Sequence, residues 1–215
     1  MTTDGNNAPS AMTLSAWDAV IFDYGGVLCY APTQRDVTEY GRATGMPQGT
    51  FSQLYAVTRD YYGRSAAGYA ERWRQAAAAS GVEVSEDSVK RFIEMESGLW
   101  TRPNAATLAL ARDAKAQGKK LAILSNMTFD LLEILKGKFD WLEEFDVRAW
   151  SCEHSCAKPD GAIYRACLEA LDCEPGRSLF FDDRQRNVDG AKRVGMDAYL
   201  FESAEQARRI VERGA

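Results

Sequence analysis

The stretch AVIFDYGGVL, residues 19–28, decides the fold. It opens inside WDAVIFDY, residues 17–24, a short, apolar, β-rich run that reads as a buried strand, and its residues 19–22 lead straight into Asp23. Gly25 and Gly26 follow within three positions. A carboxylate just past a buried strand, beside a glycine turn, is poorly placed for packing and well placed for chemistry. The two glycines allow a sharp turn that can bring backbone N–H groups close to an anion.

Outward from this stretch, the chain divides into two patterns. Residues 1–16 are polar and small and are expected to form a disordered lead-in. From about 33 to 100 the signals are helical. AAGYAERWRQAAAAS stops at Gly81, and SEDSVKRFIEMESGLW has Ser85 as a candidate N-cap. After Pro103 the pattern alternates between helices and the strands KKLAILS, DVRAWS, SLFFDD and DAYLF. Such alternation implies a parallel sheet covered on both faces. The strand in WDAVIFDY belongs with that later run. The expected architecture is α/β: a doubly wound, Rossmann-like parallel-sheet core over 17–30 and 101–215, with an inserted α-helical cap over 31–100.

Open parallel sheets bind ligands beyond the carboxyl ends of their strands. Asp23, Ser125, Asn126, Asp182 and Asp183 all follow strands directly, so they are expected to converge. Each has a plain alternative as a turn or helix-capping residue. Asp182 and Asp183 are adjacent carboxylates that repel unless a cation lies near. An oxygen-only donor set suits Mg²⁺. Lys158, in CAKPDGAIY, is either solvated surface or the charge that balances these acids. Cys152, His154 and Cys156 in SCEHSC lack a fourth zinc ligand and are read as structural.

Composition narrows the class. The chain has 215 residues, 46% of them hydrophobic, with a net charge of −5. That charge argues against nucleic acid as a partner. No apolar run reaches membrane-spanning length, no secretory signal pattern is present, and five irregularly spaced cysteines read as reduced thiols. A cytoplasmic monomer or homodimer is expected.

The ordered set FDYGGVL, LSN, KP and FFDDRQRNVDGAKRVGM resembles the haloacid dehalogenase-like superfamily over roughly residues 18–202. The resemblance implies Asp23 as a nucleophile that becomes covalently modified, with Lys158 offsetting charge. It implies phosphate contacts from Gly26, Val27, Ser125, Asn126 and Lys158. It also implies Mg²⁺ held by Asp23, Asp182, Asp183 and the backbone carbonyl of Gly25. Asn187 matches a supporting polar position. Phosphatases of this superfamily usually carry a second, acid/base aspartate where this chain has Gly25.

The expected activity is therefore Mg²⁺-dependent hydrolysis of a small phosphorylated metabolite. Without an acid at position 25, substrates with low-pKa leaving groups are favoured. A non-catalytic metabolite-binding protein is the alternative. A 2-haloacid dehalogenase fits less well, because that branch resembles Asp-x-Tyr-Gly-Thr at the nucleophile and lacks the adjacent acid pair. Tyr30, Tyr55, Arg59, Tyr61, Tyr62, Trp73 and Trp100 are candidate pocket residues from the helical segment and its junctions.

Overall fold

The computed structural model describes residues 16–60, 69–154 and 156–213. Most of the expected lead-in, together with Tyr61, Tyr62 and the Arg59 side chain, lies outside the described residues. Five parallel strands form one sheet: β1 (Ala19–Phe22), β2 (Lys120–Ser125), β3 (Val147–Trp150), β4 (Ser178–Asp182) and β5 (Asp197–Leu200). Their spatial order is β3-β2-β1-β4-β5. Phe22 pairs with Ile123 on one side and Phe181 on the other, which aligns the carboxyl ends of the three central strands.

The sheet is buried on both faces, so its strands are almost wholly apolar. Val20 and Phe22 join Leu121, Ile123, Leu179 and Phe181 in one core. Ala19 and Ile21 join Ala122, Leu124 and Phe180 in the other. The first core is covered by α5 (Ala105–Ala116), α6 (Phe129–Lys138) and α9 (Ala204–Arg213). The second is covered by α7 (Gly161–Leu171) and α8 (Gln185–Arg193). Connections from β1 through β3 step in one direction, and those from β4 to β5 in the other. The chain therefore leaves β1 and β4 toward opposite faces, and a crevice opens between their carboxyl ends.

Among the described residues, four helices stand between β1 and α5: α1 (Gln34–Ala43), α2 (Gln48–Asp60), α3 (Tyr69–Ala79) and α4 (Glu86–Leu99). They have a core of their own around Tyr40, Phe51, Leu54, Trp73 and Phe92. Ser85 caps α4 as expected, and Thr33 with Asp36 forms a capping box that starts α1. The segments entering and leaving this insert run side by side. Tyr30 N–H donates to Arg102 O at 2.9 Å, and Asn104 N–H to Leu28 O at 2.8 Å.

On the second face, α8 packs tightly against the loop that precedes α7. A Cβ built at Gly190 would lie 2.8 Å from the Tyr164 hydroxyl and 2.9 Å from Pro159 O. Helix propensity alone favours Gly190→Ala by about 1 kcal/mol. Overpacking of about 1–3 kcal/mol opposes it. We expect packing to win, with the melting temperature falling by several degrees in a thermal unfolding experiment. An unchanged or raised melting temperature would contradict this close approach.

Candidate active site

Asp23 continues the ladder beyond β1, its N–H donating to Phe181 O at 2.9 Å. Its carboxylate is nearly buried and faces Lys158 from the opposite wall of the crevice. Lys158 Nζ lies 2.9 Å from Asp23 Oδ1 and 2.6 Å from Asp182 Oδ2. The lysine is only 2% exposed. Its backbone is fixed by Asn126, which donates through Nδ2 to Lys158 O at 2.9 Å and accepts from Lys158 N–H at 2.8 Å. One side chain at the end of β2 thus sets the lysine's position between β1 and β4.

Asp182 is fully buried behind the lysine. It accepts from Asn187 Nδ2 at 2.9 and 3.1 Å and from Arg184 N–H at 2.9 Å. Asn187 is held in turn, its carbonyl accepting from the Tyr164 hydroxyl at 2.8 Å. The first turn of α8 and the loop before it therefore orient a carboxylate at the end of β4. Asp183, by contrast, is exposed. Gly26, at φ +83°, passes so close that a Cβ there would lie 2.6 Å from Asp183 Oδ2. Only glycine meets both the left-handed backbone and this approach.

Carboxylate oxygens of Asp23, Asp182 and Asp183 all lie within 4.8 Å of one another. Three hard oxygen donors at this spacing fit a hard divalent cation. No other group of His, Cys, Asp or Glu among the described residues has that geometry. Cys152 and Cys156 are free thiols, and with His154 they form no such group. Without a cation, burial pushes the Asp23 carboxyl up to about 7. Lys158 opposes that rise, while Asp182 and Asp183 reinforce it. Burial draws the Lys158 ammonium down, but Asp182 and Asp23 outweigh it and hold the group above its ordinary value.

A cavity of about 260 Å³ lies at this edge. Asp23, Ser125, Asn126, Lys158 and Asp183 line it, while Asp182 lies buried behind the lysine. Ser125 is buried, and its hydroxyl forms no hydrogen bond with another described residue. Gly26 and Val27 lie in the loop that follows Asp23. The Gly26 N–H already donates to Cys29 O at 2.8 Å, and the Val27 side chain lies in the sheet core. Of the described candidates from the helical segment and its junctions, only Trp100 lines the cavity. Tyr55 and Trp73 are packed in the insert core, and Tyr30 is exposed to solvent.

The sequence reading passed over Arg184 and Arg186, which also line the cavity. Their position directly after the acid pair was the available signal. It also passed over Ser151, which accepts from Met127 N–H at 2.9 Å and steadies the loop after β2.

The profile of the haloacid dehalogenase-like hydrolases matches residues 17–195. The chain belongs to the haloacid dehalogenase-like hydrolases. Phosphatase MT3486 of Mycobacterium tuberculosis is 28% identical over 91% of this chain and 92% of its own length. Bifunctional epoxide hydrolase 2 of Sus scrofa is 25% identical over 91% of this chain, which spans only 38% of that larger protein. Among solved structures, the family enzyme BT-2542 of Bacteroides thetaiotaomicron, in complex with magnesium and inorganic phosphate, superposes with a TM-score of 0.70. It is 19% identical and matches over 86% of this chain and 93% of its own. L-2-haloacid dehalogenase RSc1362 superposes with a TM-score of 0.72 at 16% identity, over 91% of this chain and 99% of its own. Such likenesses establish the hydrolase fold and leave the choice of chemistry to the side chains.

In this hydrolase the raised Asp23 carboxyl has a thermodynamic consequence. The folded state holds the proton more tightly than the unfolded chain, where the carboxyl titrates near 3.8. Stability must therefore fall as pH rises from about 4 through about 7. In EDTA, wild type should lose stability relative to Asp23→Asn across that window. Thermal melts of both proteins at several pH values test this. Parallel profiles would contradict the burial-driven shift.

Proposed function

We propose that this chain is a Mg²⁺-dependent phosphatase that hydrolyses a small phosphorylated metabolite through an aspartyl-phosphate on Asp23. The observation that carries the reading is the acid pair at the end of β4 facing Asp23. A carbon-centred displacement of halide has no need of three clustered carboxylates, whereas phosphoryl transfer has need of a cation there. The likeness to a mycobacterial phosphatase over nearly its whole length supports the same choice.

Asp23, Asp182 and Asp183, with the Gly25 carbonyl, would hold the ion. When bound, Mg²⁺ would offset the charge of the carboxylates and of the phosphoryl oxygens. Asp23 Oδ1 is engaged by Tyr24 N–H at 2.7 Å and by Lys158, which leaves Oδ2 to attack phosphorus. As the new P–O bond forms, the ester P–O bond breaks and its electron pair leaves with the alcohol oxygen. Ser125 donates from its unengaged hydroxyl to a phosphoryl oxygen, and Lys158 offsets the charge on nucleophile and phosphate. Water then attacks phosphorus and releases Asp23 and inorganic phosphate. Asn126 acts through the lysine it clamps, and Asn187 through Asp182.

The helical insert, residues 31–100, acts as a cap that shields the intermediate and selects the substrate. Low-pKa leaving groups, such as those of acyl, aryl and sugar 1-phosphates, suit a site with glycine at position 25. The net charge of −5 gives no reason to expect nucleic acid, and no helix among the described residues is long and apolar enough to cross a membrane. We place the substrate among small molecules, and the five free cysteines suit a reducing, cytoplasmic setting.

Phosphate release from a panel of phosphate esters, with and without EDTA, tests the reading. We expect release by wild type that EDTA abolishes, and a loss of at least about 10³-fold in folded Asp23→Asn. EDTA-insensitive halide release from 2-haloacids would favour the dehalogenase. Binding of phosphorylated metabolites without turnover would favour a non-catalytic protein.

A further inference from the structure

Position 25 is vacant for a side chain, but the space beside it is not empty. A Cβ built on Gly25 would lie 2.9 Å from Cζ3 of Trp100 and 3.4 Å from its Cε3. Real Cβ atoms do not approach so closely, so the indole stands where a larger residue at 25 would begin. Trp100 caps the C-terminus of α4, at the exit from the helical insert. Its ring packs in the sheet core and forms part of the cavity wall.

The indole is held there from the nucleophile loop itself. The Tyr24 hydroxyl donates to Trp100 O at 2.7 Å, and Cys29 Sγ lies 3.0 Å from the same carbonyl. Tyr24 is in turn stacked on Trp141 at 6.2 Å, and its ring meets Trp150 edge-on. The residue after the nucleophile fixes the tryptophan, and the next residue makes room for it. Tyr24, Gly25 and Trp100 are one packing unit.

This unit leaves few sources for a proton. Tyr24 lines the cavity, but its hydroxyl is turned to Trp100 O. The only other carboxylates lining the cavity, among the described residues, are Asp23 and Asp183. Lys158 is committed to two carboxylates. Arg184 and Arg186 offer guanidinium groups, which donate hydrogen bonds rather than transfer protons. We infer that Trp100 is a specificity-determining residue whose indole occupies the acid's place, so that the site releases leaving groups as anions. This rests on the phosphatase reading above. The ester oxygen departs with the electron pair of the broken P–O bond and takes its proton from solvent. Phosphate esters of acidic hydroxyls, such as aryl phosphates, are the class that can do so.

Two measurements on one set of variants test the inference. In thermal melts, Gly25→Ala should lower the melting temperature by about 2–12 °C when Trp100 is present. It should have little effect in a Trp100→Ala background. Equal drops in both backgrounds would overturn the steric claim, whatever the protein's activity. In kinetics, Gly25→Asp/Trp100→Ala should turn over an alkyl phosphate at least about tenfold faster than Trp100→Ala. Its preference for aryl over alkyl phosphates should narrow as well. A gain as large from Gly25→Asp alone, or none from the folded double variant, would overturn the role of Trp100 in specificity. Wild type that releases phosphate from no ester would overturn the phosphatase reading, a result distinct from either failure above.

Discussion

The structure of this hydrolase depends on a lysine buried between two carboxylates. Moving an ammonium out of water costs several kcal/mol unless charges of opposite sign and good geometry offset it. Lys158 meets that condition with Asp23 and Asp182, which stand at the ends of neighbouring strands. The arrangement holds only if β1 and β4 end in register, if Asn126 fixes the lysine's backbone, and if Asn187 and the Arg184 N–H orient Asp182. Removing one partner would leave a charge buried without compensation. The same trio of loops is thereby kept at one edge of the sheet, ready for an anion and a cation.

The topology supplies that edge. Because successive crossovers reverse direction at β1 and β4, the loops diverge and open the crevice. The helical insert leaves and returns through two adjacent segments, and its last residue before the return is the tryptophan that covers Gly25. The helical insert and the loop that carries Asp23 are therefore joined through a few contacts. Position 24 holds Trp100 from below, and position 25 admits it.

Much of this was legible in the sequence. The five strands declared themselves as short apolar runs, because a sheet covered on both faces leaves no polar alternation to blur them. Asp23, Ser125, Asn126, Asp182 and Asp183 could be brought together from strand ends alone, since the carboxyl edge of a parallel sheet is a topological property. The detailed hydrogen bonding was less accessible. Gly26 has the residue type and backbone of an anion cradle, yet its N–H is taken by Cys29 O, a pairing set by the loop's own closure. Trp100 stood among several aromatic candidates of equal standing. Side-chain direction at a helix end depends on tertiary packing, and no periodicity in residues 86–100 distinguishes it. Arg184 and Arg186 were hidden in plain view, since charged residues in a first helical turn are common on any surface.

The central claim is that Asp23 carries the phosphoryl group. The most direct test is to mix the protein with Mg²⁺ and an aryl phosphate, quench in acid during turnover, and locate the modification by peptide mass spectrometry. The account predicts one added phosphoryl group on the peptide bearing Asp23, labile to hydroxylamine and absent from Asp23→Asn. Sustained phosphate release with no label, or a label on any other residue, would contradict it.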